Sequence, residues 1–261
     1  VASGDEFLVN TYTSSDQSGS SVTALADGGY VVTWQDSSGH DGGSSWDIWA
    51  QRYDMVNNPV GEEFRVNTYT SSSQVDPSIT ATSDGGFVVT WRDDSGHSGG
   101  SGYDIRGQRF DSDGSTMGAE FLVNAQYTSG YQYAPSVAEL DGGDLMVAWY
   151  DNSQGDDIYA QRLNTDGSLD GDKFRVNTYT NNVQSEPDIT AMSDGGFVVT
   201  WQSRYQDYSS TYGIYGQRYH ADGTTNGSEF HVNTQYTSGH QYNPRVIELA
   251  DGDLVVAWYD E

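Results

Sequence analysis

The sequence has no cysteine, only five prolines, and only 11 lysines and arginines among its 261 residues. The absence of cysteine excludes disulfides, thiolate metal ligands and a cysteine nucleophile. The few basic residues stand against 38 acidic ones and give a formal charge of −27. A field of this sign repels nucleic acid and anionic membranes. We therefore expect no nucleic-acid partner, and small cations are the partners that the charge favours.

Long apolar segments are also missing. No apolar run approaches the roughly 18 residues of a membrane-spanning helix, so we expect no membrane insertion. Residues 1–5 show neither an initiator methionine nor a signal peptide. Few aliphatic residues with high net charge are typical of disorder, but 19 tyrosines and 7 tryptophans supply large apolar side chains. The regular recurrence of aromatic residues along the chain indicates a folded protein.

Three markers recur along the chain with one period of about 55 residues, which indicates a repeat architecture. The dipeptide Val-Asn occurs at residues 9–10, 66–67, 123–124, 176–177 and 232–233. Tryptophan recurs as Trp34, Trp91, Trp149, Trp201 and Trp258. The dipeptide Gln-Arg occurs at residues 51–52, 108–109, 161–162 and 217–218.

Each unit contains four short runs typical of β-strands, separated by Gly, Asp, Ser and Pro clusters. In the second unit these runs, A to D, are residues 78–82, 87–91, 104–110 and 120–124. Runs A and B are joined by Asp-Gly-Gly, which predicts a hairpin because these residues tolerate positive φ. No window has the apolar period of a helix.

Four antiparallel strands in each unit predict an all-β β-propeller, with five four-stranded blades and an incomplete terminal blade. The alternative is an array of small β-sandwich repeats. We treat 1–261 as a single repeat domain whose approximate units are 1–19, 20–70, 71–128, 129–180, 181–237 and 238–261. The first segment would supply strand D of the closing blade and the last one strands A and B. Run C is missing from that blade, so self-association through it is one expectation.

The repeat, exemplified by residues 63–70, 84–91 and 214–219, resembles repeats of large secreted bacterial proteins, among them RTX-type calcium-binding adhesins and similar surface proteins. The resemblance covers essentially the whole chain. It implies a secreted or cell-surface location and calcium dependence, although the glycine-rich RTX nonapeptide does not occur here.

The loops between runs D and A and between runs B and C concentrate aromatic and polar residues on one rim. Aromatic faces and polar side chains together suit a hydroxyl-rich ligand, so the sequence favours a lectin-like, carbohydrate-binding or adhesion module that binds a glycan or cell-surface polysaccharide. The candidate ligand-binding residues are Tyr127, Tyr131, Tyr133, Tyr236, His240, Tyr242, His40, His97, Trp46 and Tyr103.

Aspartates bracket three of the B–C loops and offer hard oxygen ligands for Ca²⁺, although turn chemistry alone also favours aspartate. Calcium is thus the one candidate cofactor. The candidate ligands are Asp36, Asp41, Asp47, Asp93, Asp94, Asp104, Asp151, Asp156 and Asp157.

Two other functions stay open: a polysaccharide-acting enzyme, and a structural subunit or spacer of an extracellular assembly. Run A would line the central funnel, where Glu139 and Glu248 occupy equivalent positions, with Asp188 and Arg245 at the other end of the run. The sequence contains no Ser-His-Asp order, metal helix or phosphate loop. We therefore assign no catalytic residue and expect that the protein is not an enzyme.

Overall fold

Antiparallel β-sheets make up the fold. The structure is a computed structural model that describes residues 5–43, 45–97, 102–126, 129–153, 155–206, 212–235 and 237–261, without the side chain of residue 41. Within these ranges the only helical segment is a single 3-10 turn, His40–Gly42. No helix in the described part of the chain is long and apolar enough to cross a membrane. The prediction of an all-β protein is confirmed.

The strands form five consecutive sheets, which we number I to V. Sheet I contains β1 (Gln17–Ala24), β2 (Tyr30–Asp36), β3 (Asp47–Tyr53) and β4 (Pro59–Arg65). Sheet II contains β5 (Gln74–Ala81), β6 (Phe87–Asp93), β7 (Asp104–Phe110) and β8 (Thr116–Leu122). Sheet III contains β9 (Gln132–Glu139), β10 (Leu145–Asp151), β11 (Asp157–Leu163) and β12 (Leu169–Arg175). Sheet IV contains β13 (Gln184–Ala191), β14 (Phe197–Arg204), β15 (Tyr212–Tyr219) and β16 (Phe230–His231). Sheet V contains β17 (Gln241–Glu248) and β18 (Leu254–Asp260).

Within every sheet the strands pair antiparallel in chain order, so each sheet begins with the predicted A–B hairpin. The Asp-Gly-Gly turn has two separate requirements. Gly85 has a φ of +92°, which a side chain would strain, and a Cβ on Gly86 would clash with the carbonyl oxygen of Phe110. Asp84 accepts the amide of Gly86 at 3.2 Å. The turn sequence is therefore repeated because its geometry is repeated.

The core lies in the seams between neighbouring sheets. Val31 and Ile48 of sheet I pack with Ile79 and Trp91 of sheet II in one cluster. The next two seams repeat this arrangement, with Trp149 and Trp201 in the corresponding positions. Three of the recurring tryptophans, Trp91, Trp149 and Trp201, therefore fill the space between neighbouring sheets. Each sheet buries apolar surface that it cannot bury alone, which is the energetic reason for the repeat.

Buried asparagines join the sheets at the recurring Val-Asn sites. Asn67 follows β4 and accepts the amide of Ile48 at 2.7 Å, while its Nδ2 donates to Asp47 at 2.7 Å and to Gln74 of the next sheet at 3.2 Å. A carbonyl oxygen of the following loop, that of Tyr69, accepts a further bond at 2.8 Å. The preceding valine, Val66, is buried in the seam. One side chain therefore satisfies polar groups of two sheets at once.

The recurring Gln-Arg pair is structural as well. Gln108 donates to backbone carbonyl oxygens of its own sheet. The Arg109 guanidinium bonds Asp84 of the hairpin turn at 2.6 Å and a carbonyl oxygen of sheet III, that of Thr165, at 2.5 Å. Hydrogen bonds from Thr82 and Arg109 lower the pKa of Asp84 to about 2. The arginine is thus a bridge between a turn and the neighbouring sheet.

The first strands β1, β5, β9, β13 and β17 lie side by side and line a central channel of about 570 Å³. β5 contacts β1 and β9, and β13 contacts β9 and β17. Side chains that project from these five strands therefore face one another across a shared space. The coarse prediction, a propeller-like array of repeated four-stranded antiparallel sheets, is confirmed.

Sheet V is the exception, because it contains two strands within the described residues. The predicted strand D at residues 6–10 is not a strand here. It nevertheless packs as the fourth strands do: the Phe7 ring lies 5.4 Å from Tyr53, and the Tyr53 hydroxyl donates to the Val9 carbonyl oxygen at 2.8 Å. The segment has no ladder because no described third strand lies beside it.

Candidate functional site

Each first strand contains a bulge, and in the first four sheets the bulged residue lines the channel. The register shifts between Val75 and Ser78 in β5 and between Ser185 and Asp188 in β13, and the other first strands shift at the same place. The bulged residue has a left-handed φ in all five sheets. These residues are Gly19, Asp76, Ala134, Glu186 and Asn243, with φ values of 62°, 56°, 47°, 53° and 52°. Bulges commonly redirect side chains at binding sites.

Side-chain chemistry, rather than backbone shape, distinguishes the sheets at this position. Ala134 and Asn243 adopt the same strained conformation, so the conformation belongs to the fold. Only sheets II and IV place a carboxylate there, as Asp76 and Glu186. Both residues line the channel, together with Asp188 and Arg245. The channel therefore holds three carboxyl groups and one guanidinium near its loop-rich end.

Asp76 is held by a neighbouring arginine. Arg92, on β6, donates to its Oδ2 at 3.1 Å and to Asp94 at 3.0 Å. The backbone amide of Asp76 donates to the side chain of Gln35 in sheet I at 2.9 Å, which fixes the bulge. Burial raises the pKa of Asp76, and Arg92 opposes that rise. Since 40% of its side chain is accessible, the carboxylate is fixed in position but still open to the channel.

Glu186 has a different environment. No donor from the described residues forms a hydrogen bond with its carboxylate. Burial raises its pKa, the charge of Asp76 raises it further, and Arg245 lowers it. The charge of Asp76 therefore acts on Glu186 across the channel, although the two residues come from sheets II and IV. A carboxyl group in this setting retains its proton to higher pH than an ordinary glutamate.

Asp188 lies two residues further along β13 and ties sheet IV to both neighbours. Its Oδ2 accepts the backbone amide of Val246 in sheet V at 2.7 Å, and its Oδ1 accepts the hydroxyl of Ser136 in sheet III at 3.2 Å. Burial raises the pKa of Asp188, while these bonds and the charge of Arg245 lower it. With both oxygens engaged, Asp188 shapes the channel wall beside Glu186.

Glu139 and Glu248, the acids that the sequence placed in the funnel, both bond a neighbouring sheet, and Glu139 also lines the channel. Glu139 accepts the backbone amide of Ser83 in the preceding sheet at 2.7 Å and its hydroxyl at 3.2 Å. Glu248 binds Ser193 in the same way at the same distances. Both are contacts between sheets at the end of the first strand opposite the bulge.

The aromatic residues of the rim pack mainly on one another. Tyr103 lies between Tyr131 and Tyr133, with ring centroids 4.8 and 5.4 Å away, and Arg92 lies over Tyr103 and Tyr133 at 4.8 and 5.3 Å. Because Arg92 also binds Asp76, this cluster lies next to the acidic channel. Tyr127 and Tyr236 lie outside the described residues.

The rim histidines stack on aromatic rings. His40 lies between Tyr12 and Trp49, with centroids 3.7 and 3.9 Å away. His97 stacks on Tyr69 at 3.4 Å. Near sheet V, His240 stacks on Tyr242 at 5.4 Å. For Trp46 the structure records a backbone contact, since its carbonyl oxygen accepts the amide of Gln74. The predicted ligand-binding residues thus form several separate stacks rather than one surface.

The predicted metal ligands form hydrogen bonds with other groups of the same chain. Asp47, Asp104 and Asp157 each accept Nδ2 of a buried seam asparagine, at 2.7, 2.9 and 2.6 Å. The remaining described ones bind donors within the fold: Asp36 the Ser38 amide, Asp93 the Arg106 guanidinium, Asp94 the Arg92 guanidinium, Asp151 the Lys173 ammonium and Asp156 the Tyr150 hydroxyl. The side chain of Asp41 is outside the description. No group of three potential ligands converges within the described residues; calcium binding stays a prediction.

Sequence reasoning missed Asp76 and Glu186 as site residues. A comparison of the repeats could have found them. Four units have a proline in the first strand, and the residue before it is an acid in two units and alanine or asparagine in the other two. The prolines are Pro77, Pro135, Pro187 and Pro244. The predicted run A of the second unit begins after the proline, at residue 78. The strands begin at the glutamine three residues before it.

The sheets and their channel define a β-propeller-like fold, and solved structures with this fold are similar to the chain at low identity. An endo-arabinase from Bacteroides thetaiotaomicron VPI-5482 has a TM-score of 0.58 at 15% identity, covering 92% of this chain and 88% of that one. An alpha-L-arabinanase from Penicillium chrysogenum has a TM-score of 0.63 at 15% identity, covering 91% and 74%. A thermostable family-43 glycoside hydrolase has a TM-score of 0.56 at 11% identity, covering 98% and 87%. No protein-family model and no curated protein matches the sequence.

The comparisons correct the functional prediction. A lectin-like, non-enzymatic module was the preferred interpretation of the sequence, and the named structures that share the fold are glycoside hydrolases. Both the preferred function and the expectation of a non-enzyme were wrong, and the polysaccharide-acting alternative is the better supported one. In the structure the described rim aromatics form separate stacks, and the channel contains the carboxyl groups of Asp76, Glu186 and Asp188. No adhesin or RTX repeat family matches.

Proposed function

We propose that the protein is a secreted glycoside hydrolase with a five-bladed propeller fold, which cleaves a polysaccharide in its central channel. The observation that carries the proposal is the pair Asp76 and Glu186 on two bulges that face one channel. Glycosidic bond cleavage needs two carboxyl groups in different protonation states. The likeness to arabinan-acting and family-43 enzymes supports the fold in which this pair is placed.

Glu186 is assigned as the general acid. Its pKa is raised by burial and by the charge of Asp76, so the protonated form persists towards neutral pH. Without a hydrogen-bond donor from the described residues to stabilise the ionised form, its proton is available to a leaving-group oxygen. Protonation of that oxygen lets the sugar leave as a neutral alcohol.

Asp76 is assigned as the partner carboxylate. The Arg92 guanidinium lies 3.1 Å from its Oδ2 and opposes the effect of burial on its pKa. As the pH rises, Asp76 is therefore the first of the two carboxyl groups to ionise. An ionised carboxylate either activates a water molecule or stabilises the positive charge that develops on the sugar ring. Asp188, with both oxygens bonded, positions β13 and with it Glu186.

A carbohydrate substrate fits the surroundings of these carboxyl groups. The stack of Tyr103, Tyr131 and Tyr133 continues from Asp76 through Arg92, so a sugar chain leaving the channel meets aromatic faces. Aromatic rings pack against the C–H faces of sugars. The net charge of −27 favours a neutral polysaccharide over an acidic one.

The direct test is hydrolysis of a panel of neutral and acidic polysaccharides, with arabinan, levan, xylan and polygalacturonate as members. We expect the purified 261-residue chain to release reducing sugar from at least one neutral polymer and none from polygalacturonate. Chromatography of the products shows whether cleavage occurs inside the chain or at its end. Absence of hydrolysis from every neutral polymer, with the fold intact by circular dichroism, would contradict the proposal.

The pH dependence of this activity has a predicted sign. Arg245 lowers the pKa of Glu186, so Arg245→Gln raises it and lets Glu186 keep its proton to higher pH. We expect the alkaline limb of the profile of kcat/KM to move upward in pH in this variant. Arg218→Gln is the control, because Arg218 lies on β15 and does not line the channel. An alkaline limb that Arg245→Gln leaves in place would exclude Glu186 as the acid.

A further inference from the structure

We propose that the seam between sheets V and I is a docking site for one additional β-strand with the sequence pattern of the protein's own third strands. Four internal seams show what a complete one contains. In each of the first three, an isoleucine of the third strand, Ile48, Ile105 or Ile158, packs with the first strand of the next sheet. The fifth seam has first and second strands, and a fourth-strand segment, but no third strand among the described residues.

The two walls of this seam are uncovered. On sheet I, Val22 is 63% exposed, whereas its equivalents in the other sheets, Ile79, Val137, Ile189 and Val246, are 3–7% exposed. On sheet V, Val255 is 44% exposed, whereas Val31, Val88, Met146 and Val198 at the same position are at most 1% exposed. Apolar residues that are buried four times and exposed once mark a surface that lacks its partner.

The polar contacts of the seam are prepared for the same strand. Asn10 occupies the place of Asn67 and donates to the Tyr12 carbonyl oxygen and to Gln17. The Oδ1 of Asn67 accepts the amide of Ile48, and three further seam asparagines accept the amide of the equivalent isoleucine. No donor from the described residues reaches Oδ1 of Asn10, which is half-buried. The missing donor is the amide at the second position of a third strand.

Residues 6–11 already hold the place of the fourth strand. Phe7 lies 5.4 Å from Tyr53 at 58°, as Phe64 lies 5.5 Å from Phe110 at 53°. The amide of Thr11 donates to Glu63 at 2.8 Å, and that of Thr178 to Glu229 at 2.6 Å. In the strand order of the sheet, one strand is therefore missing between β18 and this segment. An extended peptide that enters it gains two hydrogen-bonding edges.

The chain itself shows the chemistry of the occupant. Its third strands begin Asp-Ile or Gly-Ile, continue with one variable residue and a small residue, and end in Gln-Arg and a large apolar residue, as at residues 47–53, 104–110, 157–163 and 213–219. The arginine also has a waiting partner. Arg162 binds Asp144 at 2.8 Å, and Asp253 holds the corresponding place in sheet V, where it is exposed.

A second copy of the chain is a poor donor of this strand. Every residue of β3 is buried, and β7, β11 and β15 pair on both edges within their own sheets. Donating one of them would dismantle a complete sheet. The occupant that we propose is therefore an extended peptide segment, not taken from a complete sheet, with the pattern Asp-Ile-x-(Ala or Gly)-Gln-Arg-(Tyr, Phe or Leu).

The test uses a fluorescent synthetic peptide that copies residues 104–110, with a scrambled peptide of the same composition as control. We expect saturable one-to-one binding to the 261-residue chain and a melting temperature that rises by a few degrees at saturation, since a ligand that binds the folded state stabilises it. Val255→Asp should weaken binding at least about tenfold, because it places a charge in the seam. Met117→Asp, an equally exposed residue on β8, should leave binding unchanged.

A tethered version covers the case of weak peptide binding. A copy of residues 152–163 is fused after Glu261, so that loop and strand are delivered together, and the control fusion carries Ile→Asp at the position copied from Ile158. We expect a higher melting temperature and slower amide exchange in β18 for the first fusion alone.

If neither the peptide nor the fusion raises the melting temperature above its control, the proposal is wrong. A stable dimer that Val255→Asp dissociates would also overturn it, in favour of a second copy at the seam. Neither readout involves hydrolysis.

Discussion

Glu186→Gln is expected to lower kcat on the polysaccharide substrate by about 10²- to 10⁴-fold, the range over which a positioned general acid contributes. The substitution keeps size and shape but removes the proton that the leaving group needs. Because no described donor bonds the Glu186 carboxylate, the amide replaces it without breaking a contact, so the melting temperature should change little. Reducing-sugar release and thermal unfolding of the same preparation check both parts.

The leaving group separates the acid from a merely structural residue. An aryl glycoside with a good leaving group departs without protonation, so Glu186→Gln should retain much more of its activity on that substrate than on the polymer. Glu248→Gln is the matched control, since Glu248 bonds Ser193 at the other end of the first strand. It should keep activity and lose a little stability. Equal losses on both substrates, or an inactive Glu248→Gln, would contradict the assignment.

Repetition made much of the fold predictable. Residues such as Trp91 and Asn67 recur because each seam presents the same space and the same unsatisfied backbone groups, so a period in the sequence reports a period in packing. The hairpin at Asp84 was predictable for a similar reason, because turn geometry allows few residues. The absence of run C from the last unit was also visible. The period also predicts a strand at residues 6–10, which is not a strand in the structure because its geometry depends on a neighbouring strand.

The site was less predictable because it depends on where the units differ. Strand alternation assigns faces by counting residues in twos, and the bulge at Asp76 and Glu186 inserts one residue that breaks the count. Charged residues and residues with a left-handed φ are both uncommon within strands, so Asp76 and Glu186 are not expected there. The rim tyrosines stay a prediction: Tyr131 is 42% exposed, and its ring also packs against Tyr103, a contact that the sequence does not predict.

The bulges and the seams form one arrangement. Asp188 reaches sheets III and V from sheet IV, and the amide of Asp76 bonds Gln35 of sheet I. The channel wall is thus built from contacts between sheets, and its geometry depends on the angle at which neighbouring sheets meet. Contacts that fix this angle, among them those of the buried seam asparagines, should control stability far from the channel.

Asn67→Ala is expected to cost roughly 3 to 5 kcal/mol of unfolding free energy. The residue is 2% exposed, its Oδ1 accepts one bond, and its two Nδ2 hydrogens are shared among three acceptors. Each buried bond contributes about 1 kcal/mol, and leaving partners unsatisfied adds to the loss. The Ile48 amide and the side-chain oxygen Oε1 of Gln74 would lose a buried partner. Burial raises the pKa of Asp47, while the bond from Asn67 lowers it, so the variant should also raise the pKa of Asp47. Against a typical total of about 5 to 15 kcal/mol, the loss is large, and denaturant unfolding monitored by tryptophan fluorescence measures it.

Asn10→Ala provides the matched control within the same chain. Asn10 has the same place in the repeat but bonds only the Tyr12 carbonyl oxygen and Gln17 among the described residues, at 2.6 and 3.4 Å. Its loss should therefore cost less than about 1 kcal/mol. The contrast isolates the contribution of the third strand, because that strand is what Asn67 has and Asn10 lacks. Equal destabilisation by the two substitutions would show that the asparagine acts on its own loop alone, and that the seam contacts do not join the sheets energetically.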